Sequence, residues 1–317
     1  MNKQPLHKDY PQPAEVDNWC AELLAEAEAL EFTAQPVDFV PNPTVDTRHD
    51  ANLCRYIEFS SPSQAYTNFF AIFQSAPAKG PAPLLIHLPG YGTEMTRHPT
   101  LTAQGFHVLH VNPQGYTTPQ GKNLALQRHG TWPVLPDTIL TQGKTGYRDW
   151  LRDALVAVRW ARSLPTVQAD RFAFFGTSQG GGTALLLASI MRDQGVCAVA
   201  GDVPFLTNFP LMCAKQPVGA YNLAYTALAK VAAENPDLLP ASWRALGFVD
   251  TLSHSHRLTM PVLLTAGSID IACPTATVRS LFDVLPGTRS YTELYQQGHA
   301  YTTAFLHLAA AWFRLYV

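Results

Sequence analysis

The sequence predicts an α/β fold in which a mainly parallel sheet is covered by helices on both faces. Short apolar runs such as Pro83 to Leu88, Phe172 to Phe175 and Pro261 to Gly267 alternate with helical patterns such as Tyr147 to Leu164. Runs that lack polar alternation belong to strands buried on both faces, and their alternation with helices implies parallel pairing. The third observation is the stretch Gly176-Thr177-Ser178-Gln179-Gly180-Gly181-Gly182, set between the apolar run ending at Phe175 and a helical pattern over Thr183 to Met191. Strand, sharp turn and helix in that order lift a serine hydroxyl above the end of a sheet. Glycines flank the serine because a Cβ would collide in so tight a turn.

Such a turn is the nucleophile elbow of the α/β-hydrolase fold, and the remaining elements are consistent with it. Val16, Trp19, Cys20, Leu23, Leu24, Ala27 and Leu30 recur at helical spacing, so an amphipathic helix is expected over residues 14–31. Strands follow near Arg55 to Phe59, Thr67 to Phe73, Leu84 to Leu88 and His107 to Val111. The helix from Tyr147 must stop before Pro165. Ala198 to Gly201 and Tyr291 to Tyr295 read as later strands, and a final helix is expected from Ala300 to Val317. Two segments exceed a simple connection. Gln114 to Gly146 is rich in Gly, Pro, Thr and Gln, as an ordered binding loop or an assembly element would be. Residues 204–260, with helices over Tyr221 to Ala233 and Ala241 to Leu246, read as a cap-like helical insertion before the acid-bearing strand. A single domain spanning 1–317 accommodates the length.

The elbow calls for an acid and then a histidine, each on the loop after a later strand. Asp270 follows the run ending at Gly267, and His299 follows the last strand. A serine hydroxyl is a weak nucleophile until an imidazole takes its proton, and a carboxylate must hold that imidazole in one tautomer. Ser178, Asp270 and His299 are therefore the expected catalytic residues. Asp202, just after Ala198 to Gly201, is the alternative acid, while Asp250 reads as a helix or loop cap. Among the 11 histidines, His254 and His256 lie in a polar segment and are expected to be solvated. His87, His107 and His110, in or beside strands, are expected to be satisfied structural residues. Acyl transfer also needs oxyanion donors. The N–H of Gln179, directly after the nucleophile, is one, and the N–H of Tyr91 in Pro89-Gly90-Tyr91-Gly92 is the other. Pro204 and Phe205, after the strand beside the elbow, are expected to wall the acyl side of a substrate pocket.

The segment Tyr147 to Leu164 with the following GTSQGGG, the run Asp202-Val203-Pro204-Phe205-Leu206, and Asp270-Ile271-Ala272-Cys273-Pro274 resemble the acetyl xylan esterase and cephalosporin C deacetylase group, carbohydrate esterase family seven. The resemblance covers almost the whole chain, including the helix that begins Pro13-Ala14-Glu15-Val16-Asp17-Asn18-Trp19. It implies the same triad, the same oxyanion donors, and an oligomer built partly by the Gln114 to Gly146 segment. Two positions depart from the family pattern. Asn112-Pro113-Gln114-Gly115 keeps a glutamine but lacks the family's arginine, and Ala300 stands where a glutamate commonly follows the histidine. Neither touches the triad, and both loosen the link to the substrate for which the family is named.

Composition limits the rest. Lys plus Arg is 22 against 24 for Asp plus Glu, a net charge of -2 that favours neither nucleic acid nor an anionic membrane. With 47% hydrophobic and 15% charged residues the chain can bury a large core. Met1-Asn2-Lys3 leads into a polar segment rather than an apolar leader, so a cytoplasmic location is expected. Its 5 cysteines are scattered without CxxC spacing, arguing against a disulfide framework and a zinc site; they read as reduced, and Cys273 as a packing residue. Neither cofactor nor metal is called for. The expected activity is a serine carboxylesterase on small acyl esters, most simply acetyl. A peptidase or other acyl hydrolase, and a non-catalytic binding protein, are the alternatives on the same fold.

Overall fold

A computed structural model describes residues 6–37, 54–62, 68–91, 97–112, 145–215 and 217–317. Helix α1 (Pro13–Ala29) begins with proline at its first turn, and the Gln12 N–H donates to Glu15 Oε2 at 2.8 Å. Val16, Cys20, Leu23 and Ala27 form its buried stripe. Strands β1 (Thr33–Val37), β2 (Cys54–Ser60) and β3 (Phe69–Gln74) follow, then β4 (Ala82–Leu88), the short helix α2 (Pro99–Ala103) and β5 (His107–Val111). Helix α3 (Tyr147–Arg162) leads to β6 (Val167–Thr177), α4 (Gln179–Ile190) and β7 (Val196–Asp202). Helices α5 (Phe209–Cys213), α6 (Gly219–Glu234) and α7 (Leu239–Gly247) occupy the span before β8 (Val262–Gly267), which is followed by α8 (Thr275–Val284), β9 (Arg289–Leu294) and α9 (Thr303–Tyr316).

The strands form one nine-stranded sheet in the order β1-β2-β3-β5-β4-β6-β7-β8-β9. β1, β2, β3 and β5 pair antiparallel in succession, whereas every pairing from β5 through β4, β6, β7 and β8 to β9 is parallel. The mainly parallel α/β sheet is thus as the sequence predicts. Successive side chains divide between two cores, as strand geometry requires. Leu84, Ile86, Phe172, Phe174 and Val199 pack with α1, α3 and α4; Leu85, Ala173, Phe175 and Ala200 pack with Leu101 of α2 and with Phe305 and Phe313 of α9.

Several boundaries differ from the sequence reading. β1 was not anticipated, because its Thr33-Ala34-Gln35-Pro36-Val37 is largely exposed and lacks an apolar face. α4 begins directly at Gln179 rather than at Thr183, since the glycines pack inside the helix. The final helix begins at Thr303, where the Thr302 side chain accepts the Phe305 N–H at 3.2 Å, leaving His299 on a loop. The segment Gln114 to Gly146 lies almost wholly outside the described residues.

Candidate active site

The register of the parallel strands brings the candidate residues together at one end of the sheet, where α/β folds place their ligands. Gly176 pairs with Leu88 on one side and Gly201 on the other, while Asp202 pairs with Thr265 and Gly267 with Leu294. Ser178 sits just past β6 at φ 58° and ψ -120°, a conformation L residues rarely adopt. Its backbone is held on both sides: its N–H donates to Asp202 O at 2.8 Å, and its carbonyl accepts from Gly182 N at 3.0 Å and Phe205 N at 2.9 Å. A Cβ on Gly176 would lie 2.6 Å from the Leu88 carbonyl oxygen, and one on Gly180 would overlap that same oxygen. The glycines therefore let α4 start against the loop that carries Pro89-Gly90-Tyr91.

Two further loops close on the serine. The loop after β8 is bound to the loop after β9 through Ser268 N to Leu294 O at 3.0 Å, Ile269 N to Gln297 O at 3.1 Å, and Gln296 N to Ser268 Oγ at 2.7 Å. They bring His299 Nδ1 to 2.8 Å from Asp270 Oδ2, and His299 Nε2 lies 2.8 Å from Ser178 Oγ. The Asp270 carboxylate is buried, and its Oδ1 accepts the N–H groups of Ala272 and Cys273, each at 2.8 Å. One oxygen is thus fixed by backbone while the other faces the imidazole. Tautomer follows from the partner: a carboxylate at Nδ1 keeps the ring proton on that nitrogen by accepting its hydrogen bond, and leaves Nε2 to accept from the serine hydroxyl.

Asp202 is occupied elsewhere. It accepts Thr177 Oγ1 at 3.0 Å and Thr265 Oγ1 at 2.5 Å, and burial raises its pKa to about 6. Asp250 is a buried cap, as read from the sequence: it accepts the N–H groups of Asn208, Phe209 and Leu252 and the hydroxyl of Tyr10. Gln179 is buried and, as the first residue of α4, has an N–H without an intrahelical partner. Tyr91 lies in the loop after β4, its side chain exposed. Phe205 is buried with its ring centre 4.5 Å from Tyr221 and 5.7 Å from Phe209, and Pro204 beside it is also buried. The Cys273 thiol interacts with Ser178, and burial pushes its pKa well up, so it stays protonated.

The histidines divide differently from the sequence reading. His107 is satisfied, Nδ1 accepting from Ala76 N at 3.0 Å and Nε2 lying 2.7 Å from Thr166 O. His254 is not solvated but buried, with Ser189 Oγ 2.8 Å from Nδ1 and Phe248 O 2.9 Å from Nε2, and burial lowers its pKa to about 4. The polar Ser/His composition concealed a segment folded back beneath α1 and α4. His87 and His110 join His98, which sequence reasoning passed over, in a buried cluster. His98 carried no local signal, because it lies in the connection before α2 and reaches the strand-paired His87 and His110 only through the tertiary fold.

A model of the acetyl xylan esterase (AXE1) family matches residues 9–315. The chain belongs to the acetyl xylan esterase family. Among solved structures, the acetyl xylan esterase from Paenibacillus sp. R4 superposes with a TM-score of 0.78 at 19% identity, covering 100% of this chain and 98% of that one. Acetyl xylan esterase 1 from Thermoanaerobacterium sp. JW/SL YS485 gives 0.73 at 20% identity, covering 99% and 100%. These likenesses show the α/β-hydrolase fold of the acetyl xylan esterase family. The quorum-quenching protein AidA of Acinetobacter baumannii (strain MDR-ZJ06) is 35% identical over 78 residues, a match spanning 25% of this chain and 25% of that protein's length. Asn112, the position where the sequence reading departs from the family pattern, has its Oδ1 2.7 Å from His110 Nε2.

Proposed function

We propose that the protein is a serine carboxylesterase cleaving small acyl esters through an acyl-enzyme, with acetylated carbohydrates or cephalosporin-type acetates as its substrate class. The observation that carries this reading is the hydrogen-bonded line from Ser178 Oγ through His299 Nε2 and Nδ1 to Asp270 Oδ2, with both contacts at 2.8 Å. His299 takes the hydroxyl proton as Ser178 Oγ attacks the ester carbonyl, and Asp270 stabilises the imidazolium. The oxyanion faces the amides of Tyr91 and Gln179. Collapse of the tetrahedral intermediate expels the alcohol with the proton from His299. A water deprotonated by the same imidazole then releases the carboxylic acid and restores Ser178. Family membership favours an ester over an amide leaving group.

Parallel assays of p-nitrophenyl acetate, butyrate and octanoate beside aminoacyl anilides test the reading. Fast acetate turnover is expected. Efficient anilide cleavage would instead indicate a peptidase, and inertness toward every substrate a binding protein. The proposed setting is a cytoplasmic homo-oligomer, a reading supported by the family likeness of the Gln114 to Gly146 segment. Among the described residues, no helix is long and apolar enough to cross a membrane.

A further inference from the structure

We propose that His87, His98 and His110 form a buried binding site for a zinc-class divalent transition metal ion, separate from the esterase machinery. The three come from the end of β4, the connection before α2 and the end of β5, and one ring nitrogen of each lies within 4.8 Å of the others. His87 Nδ1 and His110 Nδ1 face each other at 2.6 Å, and the His98 ring stands edge-on to His87 with centres 4.2 Å apart.

The outer nitrogens point to ligation. His87 Nε2 lies 2.6 Å from the Tyr301 hydroxyl, and His110 Nε2 lies 2.7 Å from Asn112 Oδ1. Metal-bound imidazoles characteristically donate their second N–H to such oxygens, which fixes the ring and directs the other lone pair inward. If both outer nitrogens donate, the facing Nδ1 atoms each present a lone pair at 2.6 Å, a repulsion relieved either by a proton shared between them or, once the rings draw apart, by an ion bound to both. Without an ion, a proton relay can run from Tyr301 through His87 and His110 to Asn112. That relay leaves His98 Nε2, buried and without a hydrogen-bond partner among the described residues, unsatisfied. An unpaired buried polar nitrogen carries a desolvation cost, and a metal bond would remove it.

Burial also keeps all three imidazoles unprotonated near neutral pH, as ligation requires. An all-imidazole donor set selects zinc, cobalt, nickel or copper over magnesium or calcium. With metal–nitrogen bonds of about 2.0–2.1 Å, modest ring rotations would bring the nitrogens to one ion. The bound ion would tie β4 to β5 beneath the Pro89-Gly90-Tyr91 loop, giving it a structural role.

The test uses the untagged, chelator-stripped full-length protein incubated with one equivalent of Co2+ or Zn2+, read by metal analysis, visible absorption and thermal melting. The expected result is one tightly bound Co2+ with ligand-field bands but no thiolate charge-transfer band, and a melting temperature raised by either ion. His98→Leu and His110→Ala should abolish binding, whereas Asn112→Ala should weaken it about 10–100-fold. Ser178→Ala should bind the metal like wild type, which separates this site from the esterase reading. His98→Leu removes an unsatisfied polar atom and so should fold. Wild-type protein that binds neither ion, leaving a hydrogen-bonded network only, or binding unchanged in both histidine variants, would overturn the proposal.

Discussion

Ser178 occupies a backbone state that costs a non-glycine residue about 1–3 kcal/mol, and the hydrogen bonds from Ser178 to Asp202, Gly182 and Phe205 hold it there. The hydroxyl is thereby aimed at His299 before any substrate arrives, so its removal should affect chemistry far more than folding. Ser178→Ala or His299→Ala should lower turnover of p-nitrophenyl acetate by about 10⁴-fold or more with the thermal transition retained. Near-normal turnover by purified Ser178→Ala would sink the mechanism. Asp270→Asn should be nearly as severe, because an amide cannot hold the same histidine tautomer. Asp202→Asn should stay active, since the Asp202 carboxylate is taken by Thr177 and Thr265; the opposite pair of results would move the acid to Asp202. Phe205 lies against the nucleophile through its backbone while its ring fills the cluster with Tyr221 and Phe209. On the proposal that Phe205 walls the acyl side of the pocket, wild type should prefer acetyl to octanoyl esters, and Phe205→Ala should relax that limit. An octanoyl preference in wild type would refute the assignment.

At the scale of elements, the site depends on how closely α4 approaches β4. Gly180 lies where any Cβ would enter the space of the Leu88 carbonyl, and backbone cannot yield as a flexible side chain can. Gly180→Ala should therefore push the helix start away from the Tyr91 loop. Stability should fall by about 3 kcal/mol or more, and turnover should fall together with it, because the amides of Tyr91 and Gln179 separate. Urea denaturation alongside steady-state kinetics checks both; a variant with wild-type values in each would show that the close approach is dispensable. The loops after β8 and β9 are joined by their own hydrogen bonds, so that Asp270 and His299 are positioned together.

For the molecule as a whole, buried carboxylates shape the response to pH. Burial raises the Asp202 pKa from the ordinary 3.8 of an aspartate to about 6. Below the unfolded value the group is protonated in both states. Between the two values only the unfolded chain has lost the proton, so stability falls as pH rises and the loss is complete above about 6. The magnitude is at most about 3 kcal/mol. Asp250, also raised by burial, acts in the same direction. Asp202→Asn should flatten the pH dependence of the melting temperature over this interval; an unchanged slope would contradict the assignment. The proposed assembly also belongs to this scale: light scattering should report a homo-oligomer that favours small esters over polymeric acetylated xylan. A stable monomer that attacks the polymer efficiently would exclude it.

The sequence by itself determined the fold class and pointed to the elbow and to the proposed order of serine, acid and histidine, because each rests on local requirements. A turn too tight for a Cβ demands glycine, a buried strand demands an apolar run, and chain order in this fold is a property of topology. It also separated Asp250 from the acid candidates as a cap. Local signals did not reach β1, whose exposed residues lack a face, or the start of the last helix, where the Thr302 cap lies beyond His299. The burial of His254 and the convergence of His87, His98 and His110 were decided only by tertiary structure. Those residues stand on separate elements, and what they contact depends on strand register and on which helix covers which face. An imidazole reads the same in a solvated loop and in a sealed cluster until the chain is folded around it.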